Sequence, residues 1–280
     1  MSDSRHSLRW TAITGAIVAA LVLLPIIVLV SLFVFRDNPG AKSLDDALQA
    51  FRDGDTSAVE SICAVIVRPP AGVYRADASG KASISFPPTS QSYGASAPVT
   101  VTHQGENCWT TTVDFNTAFQ QRWDYCIDNG VLSEHGNHTS TGWDLGATSI
   151  TNISEFTCSP PGEIIKTGER RDEVSTYTCT GTSDSIDGTT TSAVTFESLG
   201  ATSIDINSVA LPTFHYRESD SLSGPQNGTT TIDYWHSVQD MLLVRMERHI
   251  NLRTDSPVGE VTYKEDGEWQ LSSLVPTRFH

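Results

Sequence analysis

From Trp10 to Phe35 the chain is an almost unbroken apolar run without a charged side chain. Nothing later in the sequence limits its options as strongly. Roughly 20 apolar residues cross the hydrocarbon core of a bilayer as a helix. This run is longer, so it can cross with some tilt, and Pro25 permits a kink without preventing a span. A cleavable signal peptide has a shorter apolar core, about 7–15 residues, followed by small residues at the cut. Here Arg36-Asp37-Asn38-Pro39-Gly40-Ala41 follows, with Pro39 badly placed for cleavage after Ala41 and no cysteine positioned for a lipid anchor. The run therefore reads as an uncleaved membrane anchor.

Orientation rests on two signals. Arg5, Arg9 and the amino terminus precede the run while Arg36 and Lys42 follow it, a small positive-inside bias. All five cysteines, Cys63, Cys108, Cys126, Cys158 and Cys179, lie after it, as suits an oxidising compartment. The expected organisation is a cytoplasmic tail (1–9), a transmembrane helix (10–35), a helical linker (36–68) and an extracytoplasmic β-rich domain (69–280). That places the protein in the cell membrane as a single-pass chain.

The segment beyond the span is ample for one β domain. The formal net charge of −15 repels phosphate backbones and argues against nucleic acid as a partner. It also disfavours a polybasic site for lipid headgroups. Five cysteines leave one over if no partner chain contributes. Pairing sequential neighbours, Cys108 with Cys126 and Cys158 with Cys179, closes two loops, each worth roughly 3 kcal/mol in the chain-entropy model. Cys63, beside Ala64, Val65 and Ile66, then reads as a buried small hydrophobe. There is no CxxC pair to suggest a zinc ribbon or a thioredoxin-like site.

In the linker, Ser43 with Asp46 forms a capping-box pattern, and Leu44, Ala47, Leu48 and Phe51 fall on one helical face. A second turn, capped by Ser57 and Glu60, is expected through Ile62 and Val65. Pro69-Pro70 ends the helical part. From Gly72 onward, short runs rich in Val, Ile, Thr, Tyr, Phe and Trp alternate with turn clusters, the signature of antiparallel sheet. Turns are expected at Gln104–Asn107, Asp128-Asn129-Gly130, Ser219–Gly228, Gln239-Asp240 and Glu265-Asp266-Gly267, and a polar loop at 181–191. Alternation is clearest where Leu242, Val244, Met246, Ile250 and Leu252 share one face, interrupted only by Arg248. Leu145-Gly146-Ala147-Thr148-Ser149-Ile150 recurs as Leu199-Gly200-Ala201-Thr202-Ser203-Ile204 and reads as two similar strand beginnings. The fold class is mainly β: a single antiparallel twisted sheet, sandwich or half-barrel-like, behind a membrane helix and short helical linker.

The order of several short motifs resembles a family of uncharacterised actinobacterial membrane-anchored or secreted proteins. The motifs are Pro69-Pro70-Ala71-Gly72-Val73-Tyr74, Cys108-Trp109, Arg122-Trp123-Asp124-Tyr125-Cys126, Thr176-Tyr177-Thr178-Cys179 and Asp233-Tyr234-Trp235 followed by Leu242-Leu243-Val244-Arg245. Towards the end come Ser256-Pro257-Val258-Gly259-Glu260-Val261-Thr262-Tyr263 and Leu271-Ser272-Ser273-Leu274-Val275-Pro276. The resemblance implies location and fold and carries no activity with it.

The chemistry is sparse. There is no G-x-S-x-G elbow, H-E-x-x-H motif or phosphate-binding glycine loop. Glu134-His135-Gly136-Asn137-His138 with Asp144 is the best metal candidate, but in a strand His135 and His138 face opposite sides, so a solvated loop is expected and no metal or cofactor. His215 and His236 read as strand histidines with satisfied hydrogen bonds. Trp109, Trp123, Trp143, Trp235 and Trp269 read as core or rim rather than as a ligand groove. The carboxylates are too numerous to single out a catalytic pair, and the sequons at Asn137, Asn152 and Asn227 are read as incidental. The expectation is a non-catalytic cell-envelope module binding an unknown protein, glycan or lipid. The alternative is a half-barrel carrier or sensor of an apolar ligand, which would need a deep apolar pocket; a filled core with an exposed aromatic patch would favour the module.

Overall fold

The computed structural model describes residues 38–54, 67–146, 148–166, 173–256 and 259–277. The expected span at 10–35, the helical turn through Ile62 and Val65, and Cys63 lie outside them. No helix among the described residues is long and apolar enough to cross a membrane. The chain divides into two compact units, the larger formed by Asn38–Trp143 and Thr151–His280. The described part of the other, within Asp144–Ile150, is a turn in which Asp144 Oδ1 accepts the Gly146 amide at 2.7 Å.

Helix α1 (Leu44–Gly54) begins as its sequence predicts. Ser43 Oγ accepts the Asp46 amide at 3.0 Å and donates to Asp46 Oδ2 at 2.8 Å. Its apolar face, with Ala47 and Leu48 buried, packs on Val73. The strands are β1 (Gly72–Tyr74), β2 (Ala76–Ser85), β3 (Pro88–Ser92), β4 (Val99–Gln104), β5 (Cys108–Asn116), β6 (Phe119–Asp128) and β7 (Val131–Asp144). They continue as β8 (Ser149–Lys166), β9 (Val174–Ser183), β10 (Thr190–Ile206), β11 (Val209–Ser223), β12 (Gln226–Ser237), β13 (Leu243–Ser256) and β14 (Gly259–Leu271). All belong to one curled antiparallel sheet, half-barrel in character, so the two-sheet sandwich is not what forms.

From β4 to β14 each strand pairs with the next along the chain. The two ends of the sheet meet in one hairpin. Gly72 pairs with Val101, Asp77 with Ser96, and Ser85 with Pro88, so the register is constant from end to end. Strands β1 and β2 are thus one arm, and β3 and β4 the other. The first arm also pairs with β14, from Leu271 opposite Ala76 to Tyr263 opposite Ile84. The second arm pairs with β5. The hydrogen-bonded ladder therefore returns on itself through this hairpin.

Several expected turns lie where predicted. Asn129 (φ 52°) and Gly130 (φ 77°) link β6 to β7 with both central residues left-handed, the type I′ pattern. Others are corrected. Glu265-Asp266-Gly267 is not a turn but the middle of β14. Its glycine serves close approach instead: a Cβ on Gly267 would fall 2.4 Å from the Tyr93 ring, and one on the facing Gly80 2.7 Å from Gly267 Cα. The expected turn at 219–228 shrinks to the residues around Gly224-Pro225, and the loop at 181–191 to those between Ser183 and Thr190. The second copy of the six-residue echo lies inside β10, yet Gly146 (φ 85°) and Gly200 (φ 88°) share a left-handed backbone.

Both expected disulfides form. Cys108–Cys126 and Cys158–Cys179 join residues directly opposite each other on adjacent strands, each with Cα atoms 4.0 Å apart. Tight pairing across an antiparallel ladder gives this short spacing.

The interior is packed between opposing parts of the curled sheet. Trp123 on β6 meets Tyr234 on β12 edge-on at 6.5 Å, and Tyr125 meets His236 at 5.9 Å. Phe196 stacks on Tyr216 at 5.4 Å. Trp109, Trp123, Trp143, Trp235 and Trp269 are all buried. Among the described residues Phe86, at the hairpin tip, is the only large exposed aromatic, so no aromatic surface patch forms.

Candidate functional site: a carboxyl-lined interior

The metal candidate comes apart. His138 Nε2 faces Glu155 on β8 at 3.8 Å, whereas His135 Nε2 lies 3.4 Å from Ser133 Oγ. No group of three His, Cys, Asp or Glu side chains among the described residues is arranged to hold a metal ion. The same stretch does something else. The β6–β7 register shifts between Asp124 and Tyr125: Asp124 pairs with Gly136, but Tyr125 pairs with Glu134, leaving His135 as the extra residue of a bulge. A bulge restarts the alternation. Glu134 and Asn137, three apart and expected on opposite faces, both turn inward, and Asn137 Nδ2 donates to Glu134 Oε1 at 3.2 Å.

Glu134 is one of three interior carboxyls. Glu218 and Asp220 stand two apart on β11, hence on one face. The Tyr177 hydroxyl on β9 reaches Glu134 Oε2 at 3.5 Å, and Thr230 Oγ1 on β12 donates to Asp220 Oδ2 at 2.7 Å. The Glu218 and Asp220 side chains hydrogen-bond each other, and Glu218 Oε2 and Asp220 Oδ1 are buried with no further donor beside them. Burial pushes the Glu134 carboxyl up to about 8, against the opposing pull of the Asn137 bond and with the aid of the Asp220 charge. Burial likewise raises Glu218 well above the usual range, followed by repulsion from Asp220 and Glu134. Asp220 is raised too, first by burial.

The Tyr234 hydroxyl completes the group. It is buried and lies close enough to Glu218 to favour that carboxylate, yet it forms no bond of good geometry. One step along β12, His236 is buried with both ring nitrogens unpaired, and burial pushes its pKa down to about 3. It is a neutral imidazole between aromatic rings, not a base held ready.

A second interior group pairs a buried cation with a buried carboxylate. Arg248, the residue that interrupts the apolar face of β13, places Nε 3.1 Å from Glu265 Oε1, with both side chains buried. Tyr93 and Tyr263 hydroxyls donate to the two oxygens of Glu265, and Arg248 also reaches Gln121. The guanidinium lies 5.3 Å from the Phe115 ring centroid and 5.8 Å from that of Phe119. Burial, the largest single influence, would lower the Arg248 pKa, but Glu265 together with Tyr93, Tyr263 and Tyr234 outweighs it and the pKa is raised.

The outward histidine is also accounted for. His215 Nε2 sits 2.8 Å from Asp233 Oδ1, and its ring stacks on Trp235 at 4.2 Å. Arg245 covers Trp235 at 4.9 Å. Arg217 bonds Asp233 Oδ2 at 3.1 Å. Burial alone would raise Asp233, but the bonds from His215 and Arg217 hold it below the usual carboxylate range. No Ser, Thr or Cys side chain among the described residues is hydrogen-bonded to His215.

Sequence reading did not select Glu134, Glu218, Asp220, Tyr177 or Tyr234 as a group. Even-numbered alternation along β11, from Tyr216 through Glu218 and Asp220 to Leu222, was the available signal. No protein-family model matches this chain, and neither does any curated protein or solved structure.

Proposed function

We propose that this chain is a membrane-anchored extracytoplasmic binding module, non-catalytic, held by the 10–35 helix with its amino terminus in the cytoplasm. Its place among the actinobacterial envelope proteins it resembles belongs to the same proposal. One observation carries the preference for a binding module over an apolar carrier. The interior of the curled sheet is a packed hydrophobic core, with aromatic contacts between β6 and β12, in which carboxyls and an ion pair are also buried. An acyl chain gains nothing beside such groups, which lose hydration without compensation. A polar ligand, or a polar part of an envelope component, suits them.

Native mass spectrometry of the full chain released from detergent tests this choice. Lipid retained at the anchor should persist in Ile232→Trp, which adds bulk beside Glu218 and Arg248, while interior lipid should be lost. Finding no lipid specific to the unsubstituted chain agrees with the module; a stoichiometric acyl lipid displaced by the substitution overturns it. A reporter fused after His280 tests the topology: it should be active outside the cytoplasm, and activity confined to the cytoplasm refutes the orientation.

A further inference from the structure

The linker and one hairpin run side by side. Helix α1 packs on Val73, which stands opposite Thr100. Back towards the amino terminus, Lys42 Nζ pairs with the buried Asp114 at 3.0 Å, and the Asp114 amide donates to the Pro98 oxygen. Ala41 lies against Gly94, where a Cβ would fall 2.6 Å from the alanine's own. The Gly40 oxygen accepts the Thr117 amide at 2.9 Å. These contacts step along the second arm of the hairpin from Thr100 to Gly94, in the direction of the Phe86-Pro87 tip. The chain ahead of Gly40 therefore departs on the tip's side. At the tip Phe86 is 51% exposed, with Pro88 exposed beside it. From Ala82 to Thr102 no residue is charged, in a chain that is 18% charged. A surface of that kind loses no ionic hydration on entering an apolar phase.

Resting on the membrane-anchored reading, we propose that the Phe86-Pro87 tip is a second membrane contact, with the Phe86 ring lodged among the headgroups and upper acyl chains of the bilayer. Four residues separate Phe35, where the expected span ends, from Gly40, so the bilayer surface lies within about 17 Å of Gly40. Tyr93, next to Gly94, donates its amide to Gly80. Phe86 stands six residues beyond Gly80 along an extended arm, a reach of about 20 Å. A hairpin aimed at the membrane thus touches it however far the tether is stretched. The contact is apolar, since the chain's net charge of −15 offers lipid headgroups no basic patch. Shallow burial of aromatic and aliphatic groups at the headgroup boundary is how surface-bound elements hold an interface. Asp255 and Glu260 face each other near the end of the adjacent β13–β14 hairpin and are exposed. They stay in the headgroup water, which confines the contact to the tip.

The test uses the full chain in phosphatidylcholine nanodiscs, with Cys63→Ser and one added cysteine carrying an environment-sensitive fluorophore. At Pro88→Cys, beside an intact Phe86, emission should shift to the blue and be quenched by lipid spin-labelled near the headgroup. At Asn129→Cys, in the turn at the far end of β6 from Thr117, neither should occur. Phe86→Glu should lower the quenched fraction of the Pro88 probe at least about tenfold, as expected when a phenyl ring no longer enters the apolar phase, while keeping the β circular-dichroism spectrum. Phe86→Ser, which adds no charge, should act in the same direction and guards against misfolding of the charged variant. A Pro88 probe no more quenched than the Asn129 probe overturns the proposal, as does quenching that both Phe86 variants retain. If the chain stays with the nanodisc and the Pro88 probe stays in water, this inference falls alone and the anchored reading stands; a chain that does not stay with the nanodisc removes both.

Discussion

Replacing Glu134 with Gln should stabilise the protein at alkaline pH and leave it nearly unchanged in acid. The side chain is buried, and its folded pKa is about 8 against an ordinary value of 4.5. Between those values the folded chain keeps a proton on Glu134 that the unfolded chain has released. Folding therefore takes up a proton, and stability is greatest below pH 4.5 and declines as pH rises towards 8. The slope is about 1.4 kcal/mol per pH unit, and the whole window amounts to about 5 kcal/mol. Glutamine has the same shape, still accepts from Asn137, and cannot ionise. Urea unfolding of the full chain in detergent, followed by tryptophan fluorescence from pH 4.5 to 9, reads the effect. The variant's stability should fall less steeply by one proton's contribution, with Glu218 and Asp220 retaining their own. Equal slopes for the two proteins would refute the assignment of Glu134 as a buried, protonated carboxyl.

Arg248→Met should cost about 3–5 kcal/mol by stranding Glu265 in the interior, and adding Glu265→Gln should recover much of the loss; a variant as stable as the parent in urea would show the pair is not buried. Gly162→Ala should cost about 1–3 kcal/mol, because a Cβ there would fall 2.3 Å from the Tyr177 ring; an unchanged thermal midpoint contradicts that packing. Replacing Cys158 and Cys179 together with Ser should cost roughly 3 kcal/mol in the same unfolding assay, and peptide mapping without reductant should find Cys63 as a thiol.

Local signals made much of the fold legible. Ser43 and Asp46 mark the start of α1 because capping is a contact between near neighbours. Asn129-Gly130 marks a hairpin because the two residues supply the required backbone. The interior polar groups were hidden for two reasons. Arg248 reads as a break in an apolar face until Glu265 is brought opposite it, and Glu265 was hidden in what looks like a turn. Glu134 was hidden by the bulge at His135, which changes the face of every residue before it; the adjacent Gly136 is its only local marker, and a strand glycine does not say which way the register shifts. Closure of the sheet was also not legible, since the constant register of residues 72–101 depends on pairing rather than composition.

That closure sets an order of events in time. The seam between β2 and β14 joins residues 76–84 to residues 263–271, so the first strand made waits for the last before its second edge is covered. Loops of that length close slowly, and contacts so distant along the chain delay folding. During synthesis, β2 can pair with β3 at once but leaves its other side open until nearly the whole chain has emerged. Unpaired strand edges recruit other chains. A product arrested before Gly259 would carry that edge permanently, beside an equally bare β13, and should aggregate or be degraded even though most of its hairpins can form.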